Sequence, residues 1–230
     1  MTPAREEVFS RSRISPRIAM LCRMVPEGAA VADIGCDHGY IALTLLQAGQ
    51  PFVWASDIIG PSLAKARARL SKYISSGRAE AVLSDGLAAL PADKTDCAVA
   101  AGLGGAVIRR IISDKKARMI KRWVLQPQKN ARELRRYLQS SGFVITDEAL
   151  CRQNGRIYEA IAAEPGEPAP LDVLQAELGP VNIINGGPLL RELAEKRLRE
   201  AIKESRSGSE DALLAAKALQ SFLEGDGTCL

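Results

Sequence analysis

Aromatic residues make up only 4% of this 230-residue chain, histidine occurs once, and no apolar run approaches the roughly 20 residues a membrane helix needs. Few stacking platforms are therefore on offer, Tyr40 being the best placed, and no membrane partner is expected. The five cysteines (Cys22, Cys36, Cys97, Cys151, Cys229) include no Cys-x-x-Cys pair. Their odd number and wide spacing suit reduced core thiols rather than a disulfide framework, and with a single His no metal site is expected. The start, MTPAREEVFSRSR, carries both charge signs and no apolar signal stretch, so the cytoplasm is the expected compartment. Internal repeats and low-complexity tracts are also missing.

What is present is a globular composition, 47% hydrophobic and 25% charged, of a length suited to one large domain or a domain with an appendage. The net charge of +4 conceals an asymmetry: residues 1–165 hold 24 Lys+Arg against 16 Asp+Glu, and residues 166–230 hold 7 against 11. From Ala30 to Ala163 short apolar runs alternate with helix-period segments, the pattern of βα units on a parallel sheet. Strands are predicted at Ala30–Ile34, Phe52–Asp57, Ala79–Ser84, Cys97–Ala101 and Arg122–Gln126, with helices near Tyr40–Ala48, Pro61–Ser75, Ala106–Ile112 and Arg132–Ser141. Ile14–Met24 reads as an amphipathic helix ahead of them, with Arg13, Arg17 and Arg23 on its polar edge. Phe143–Leu150 and Arg156–Ala163 flank Asn154-Gly155, a strong turn signal, and should form an antiparallel hairpin.

The fold class that follows is α/β, a doubly wound Rossmann-like sheet that the closing hairpin makes similar to class I S-adenosylmethionine-dependent methyltransferases. The catalytic domain is expected over residues 1–163 and a Pro/Gly-rich linker over 164–170. A small coiled-coil-like helical hairpin is expected over 171–230, with Gly179–Pro188 as an irregular stretch and Ser209 capping its second helix.

Candidate chemistry gathers at the carboxyl ends of the strands, where open α/β sheets bind ligands. Ala32 to Tyr40 reads ADIGCDHGY. A dinucleotide fingerprint from Gly35 would need glycines at Asp37 and Tyr40, and a carboxylate there would repel a pyrophosphate but attract an ammonium or sulfonium. Asp33, Gly35 and Asp37 thus point to S-adenosylmethionine. Asp57, about 20 residues on, is placed for the ribose hydroxyls, with Ile58 beside it; Asp85-Gly86 follows the third strand, where methyltransferases commonly set a carboxylate against the adenine amino group, and Gly102 permits close approach of a flat substrate or of the sulfonium region. The Asn/Asp-Pro-Pro-aromatic motif of enzymes acting on exocyclic adenine amines is missing after the fourth strand. Between Arg109 and Arg136, eleven basic residues face only Asp114 and Glu133, an electrostatic footprint for a polyanion.

ADIGCDHGYIA, SDIIGPSLAKA, SDGLAAL, AAGLGGAVIRRII, LQPQKNARELRRYL and GRIYEAI, in that order, resemble the bacterial tRNA (adenine-N1)-methyltransferase family of TrmK type, acting on position 22. The resemblance covers about Ile14 to Ala163. It departs at Cys36, Gly39, Leu103 and Gln128, where the family often has Ser, Ala, Met and Asn. It implies a class I methyltransferase domain with a helical appendage, S-adenosylmethionine as cofactor and tRNA as partner. Gly35, Asp57, Asp85 and Gly86 would line the cofactor, and Asp37 would stand at the active centre with His38 as the alternative group. Arg13, Arg17, Arg109, Arg110, Lys115 and Lys116 are the expected RNA contacts. The alternatives are a methyltransferase acting on a small molecule or protein, a non-catalytic RNA-binding module on the same fold and, disfavoured by Asp37, a nicotinamide dehydrogenase. The oligomeric state stays open, with a monomer favoured.

Overall fold

The computed structural model describes residues 1–11 and 13–225, so Cys229 lies outside the described residues. Helices α1 (Pro3–Phe9) and α2 (Pro16–Met24) lead into β1 (Ala30–Ile34), α3 (Tyr40–Gln47), β2 (Phe52–Asp57), α4 (Gly60–Arg69), α5 (Ser71–Ser75) and β3 (Ala79–Leu83). Then come β4 (Cys97–Leu103), α6 (Gly105–Ile112), β5 (Arg122–Pro127), α7 (Ala131–Ser140), β6 (Phe143–Gln153) and β7 (Arg156–Pro165). The chain continues in α8 (Val173–Leu178), α9 (Pro180–Asn185), α10 (Pro188–Ser205) and α11 (Glu210–Glu224). None of the described helices is long and apolar enough to cross a membrane.

The seven strands run in the order β3-β2-β1-β4-β5-β7-β6, with the first five parallel and β7 antiparallel to both neighbours. The central strands β1, β2, β4 and β5 are largely apolar on both faces, as a sheet covered on both sides requires. Val31, Val53, Val99 and Val124 point into a core shared with α1–α4, while Ala32, Trp54, Trp123 and Leu125 point into a second core against α6 and α7. The β6–β7 turn is as short as a hairpin allows: Gln153 pairs with Arg156, and Asn154 and Gly155 take φ of 50° and 71°, the left-handed pair of a type I′ turn.

Three departures from the sequence reading concern short elements. The expected Pro61–Ser75 helix is broken at Leu70 into α4 and α5. The stretch expected to be irregular, Gly179–Pro188, contains α9, with Pro180 at its first turn, while α1 and α8 also escaped the pattern. At six or seven residues, none is long enough to show an apolar period.

The chain after Pro170 packs on the sheet through charge as well as apolar contact. Arg135 of α7 is fully buried; its Nε donates to Glu148 at 2.7 Å, its Nη2 to Glu159 at 2.9 Å, and its Nη1 to the carbonyls of Ala176 and Glu177. The other oxygen of Glu148 accepts from the amides of Val181 and Asn182 at the start of α9. Gly179 has φ of 95°, and a Cβ on it would overlap the Glu148 carboxylate, so only glycine fits there. Arg197 of α10 reaches the second oxygen of Glu159 at 2.7 Å, and Arg132 reaches Glu177 and Asp211. Ser209 caps α11 by accepting from the Ala212 amide.

Candidate active site

Across the carboxyl ends of β1, β2, β3 and β4 lies a cavity of about 400 Å³, lined among others by Gly35, Asp37, Asp57, Ile58, Asp85, Gly86 and Gly102. The turn after β1 is built for it. The amides of Gly35 and Cys36 both donate to the Ser56 carbonyl at 2.9 Å, which folds the chain across β2, and Gly35 (φ 71°) and Asp37 (φ 47°) take left-handed backbone. Such a conformation is uncommon for a non-glycine residue and is held here by a specific bond: the Asp37 amide donates to Asp57 at 2.9 Å. The second oxygen of Asp57 accepts from the Ile59 amide at 2.8 Å. Two backbone donors thus orient the carboxylate at the end of β2, while the Asp37 side chain stays 69% exposed toward solvent.

On the β4 side, Gly102 interrupts the β4–β5 pairing with φ of 74°. Its amide donates to the side-chain oxygen of Gln126 at 3.2 Å, which also accepts from Arg17 at 3.2 Å. Gln126 is fully buried, and Arg17 lies 5.4 Å from the centre of the Tyr158 ring. The Nε of Arg17 is buried and finds no acceptor among the described residues. Arg17 and Gln128 also line a larger neighbouring groove of about 650 Å³ between α7, β7 and α10, so the two spaces meet at these residues.

Two of the residues singled out from sequence are not on the cavity wall. Asp33 is 1% exposed; its carboxylate turns back to accept from the Ala42 amide at 3.1 Å in the first turn of α3, and burial pushes its pKa up to about 7. His38 faces α4: its Nε2 lies 3.3 Å from the Lys65 ammonium, and its carbonyl accepts from Arg69, which stacks on Tyr40 at 3.8 Å.

The basic stretch is largely engaged within the protein. Arg110 pairs with Asp85, Lys116 donates to the carbonyls of Leu87 and Ala88, Lys121 pairs with Asp96, Arg122 with Asp147 and Glu164, and Arg118 bonds the carbonyls of Ser141 and Gly142. Arg109 lies over the Tyr137 ring at 5.1 Å. Because α6 runs back from the carboxyl end of β4, Lys115 and Lys116 fall toward the amino ends of the strands, away from the cavity. Arg13 is exposed just before α2. Two residues absent from the sequence-derived site stand beside it: Tyr158 lines the neighbouring groove, and buried Gln126 holds Gly102 and Arg17 from behind. The available signal was a polar residue closing an otherwise apolar strand in RWVLQ.

The cavity suits a ligand with a ribose and an adenine, because its carboxylates stand at the ends of successive strands and its glycines keep the approach clear. A Cβ on Gly35 or Gly86 would press Leu103 at 3.2 Å or Ile111 at 3.3 Å. Residues 14–161 match the methyltransferase domain family. A Mycoplasma pneumoniae protein provisionally named a tRNA methyltransferase is 37% identical over 157 residues, 67% of this chain and 71% of that protein. The Bacillus subtilis tRNA (adenine(22)-N(1))-methyltransferase is 28% identical over 158 residues, 67% of this chain and 66% of that one. Among solved structures, a Streptococcus pneumoniae protein provisionally assigned as a tRNA (m1A22) methyltransferase, in complex with S-adenosyl-L-methionine, superposes with a TM-score of 0.82 at 26% identity. The match covers 92% of this chain and all of that one.

Proposed function

This chain belongs to the methyltransferase domain family, in its tRNA (adenine-N1)-methyltransferase branch, and on that footing we propose that it methylates N1 of the adenine at position 22 of tRNA in the cytoplasm, with S-adenosylmethionine as donor. The observation that carries the reading is the meeting of two spaces at Arg17 and Gln128: a carboxylate-lined cavity of cofactor size and a polar groove wide enough for an extruded nucleotide.

Asp57 and Asp85 take the ribose and adenine ends of the cofactor, and the Gly35 and Gly102 turns leave room for its methionine end. When bound, S-adenosylmethionine supplies a methyl group on a sulfonium, and the electron pair of the carbon–sulfur bond stays with sulfur. Adenine N1 presents a lone pair at neutral pH, so the chain has no strong base to provide; holding the base in line is its task. The methylated ring is cationic, and the exposed carboxylate of Asp37 is suited to orient the exocyclic amino group and to stabilise that charge. His38, whose Nε2 lies 3.6 Å from the Asp37 carboxylate and 3.3 Å from the Lys65 ammonium, steadies the loop against α4. Arg17, where the two spaces meet, serves the phosphate backbone together with the exposed Arg13 ahead of α2 and with Arg109.

Labelled methyl transfer to unmodified tRNA followed by nucleoside mapping tests the reading: 1-methyladenosine at position 22 is expected. Asp37→Ala should keep cofactor affinity and lower kcat by roughly 100-fold or more, the scale of a lost electrostatic contact to the transition state. Product at another atom or position, or full turnover by the variant, would contradict it.

A further inference from the structure

Arg110 belongs to the basic stretch that resembles an RNA footprint, yet its surroundings are those of the cofactor cavity. Val107, Arg110 and Ile111 stand at i, i+3 and i+4 on one face of α6, and all three line the cavity opposite Ile58 and beside Asp85 and Gly86. Arg109, one residue earlier, faces away over Tyr137. The Arg110 guanidinium donates to one oxygen of Asp85 at 2.9 Å. Its charge is thus matched by a carboxylate and contributes little net attraction for a phosphate.

We propose that Arg110 is a specificity-determining positioning residue for the adenine end of the cofactor, holding the Asp85 carboxylate in the orientation that selects a 6-amino purine. The inference rests on the cofactor reading above. Asp85 sits in an Asp-Gly turn with Gly86 at φ of 56° and is half exposed, so the turn alone leaves the carboxylate free to rotate. With one oxygen occupied by Arg110, the other is left to accept from the amino group of adenine. A 6-oxo purine would present an acceptor to that oxygen, which is unfavourable because two acceptors cannot share a hydrogen bond. Val107, Ile111 and Ile58 supply apolar walls that recognise the ring but not its substituent.

Calorimetry on the full chain with S-adenosylhomocysteine and its 6-oxo counterpart, S-inosylhomocysteine, tests the assignment. Arg110→Ala is expected to weaken S-adenosylhomocysteine by roughly threefold to tenfold, the range of a partly exposed charge pair, and to narrow the preference for the amino compound. Arg110→Lys should restore part of both, while the KM for tRNA and its salt dependence stay at the wild-type values. An unchanged preference, or a change confined to the tRNA KM and its salt slope, would overturn the proposal. If the wild-type chain bound neither ligand, it would be the cofactor reading that failed, a result separate from any effect of Arg110.

Discussion

Asp33, one residue short of the end of β1, and Asp57, the last residue of β2, have opposite situations. Asp57 is oriented by two amides at the cavity wall, whereas Asp33 is sealed in the core beneath α3 with one amide donor. Burial raises the Asp33 carboxyl from 3.8 to about 7, with the Asp57 charge acting in the same direction. The folded state therefore binds the Asp33 proton more tightly than the unfolded chain does. Its contribution to stability is fully present below about pH 4 and is lost as pH rises through about 7, on the order of 1 kcal/mol per pH unit within that window. Asp33→Asn retains an acceptor for the Ala42 amide and removes the titration. Urea unfolding at pH 5 and pH 8.5 should show the wild type losing more stability than the variant between the two conditions; equal losses would remove Asp33 as the source.

At the scale of elements, the β6–β7 hairpin and α7 are joined by Arg135, Glu148 and Glu159. Burial works against the charge of Glu159, but Arg135 and Arg197 hold its carboxyl below the ordinary range, so its stabilising contribution is present above about pH 4.5 and fades as pH falls. Arg135→Ala strands two buried carboxylates, and a loss of about 3–5 kcal/mol is expected in urea unfolding. Arg152→Ala, which opens the exposed pair with Glu192, should cost far less. Comparable losses would mean that burial is not what gives the Arg135 cluster its weight. The strands and the Asn154-Gly155 turn were legible in the sequence because apolar runs and left-handed turn residues act locally. The internal pairing within the basic stretch was not legible, because Arg132 and Arg135 find carboxylates and carbonyls 13 to 79 residues away, a pairing with no local signature. The cavity was legible wherever a carboxylate or glycine ended a strand. Asp33 and His38 stand one step off its wall, through contacts with Ala42, Lys65 and Arg69 that the local pattern does not announce.

For the molecule as a whole, the segment after Pro170 builds an apolar cluster of its own that packs on Leu150 and Ile157 and supplies partners to charges buried beside the sheet. It brings the Ala176 and Glu177 carbonyls to Arg135 and the Val181 and Asn182 amides to Glu148. Arg197 adds a further charge at Glu159. A chain ending at Pro170 should melt at a clearly lower temperature than the full chain, with broadened cooperativity in calorimetry, because those buried charges lose their partners. An unchanged Tm would make the segment an independent appendage.

The bond from the Asp37 amide to Asp57 has a further consequence, for what happens after the reaction. The Asp57 carboxylate and the loop carrying Asp37 form one hydrogen-bonded unit, so on the proposed reading little ordering is left to be supplied when the cofactor arrives. None of the contacts assigned to Asp57 and Asp85 reaches the methyl group. If Asp57 and Asp85 hold the cofactor as proposed, a form stripped of its methyl keeps both contacts and is expected to compete with fresh donor for the same seat, tying turnover to the ratio of the two rather than to donor concentration alone.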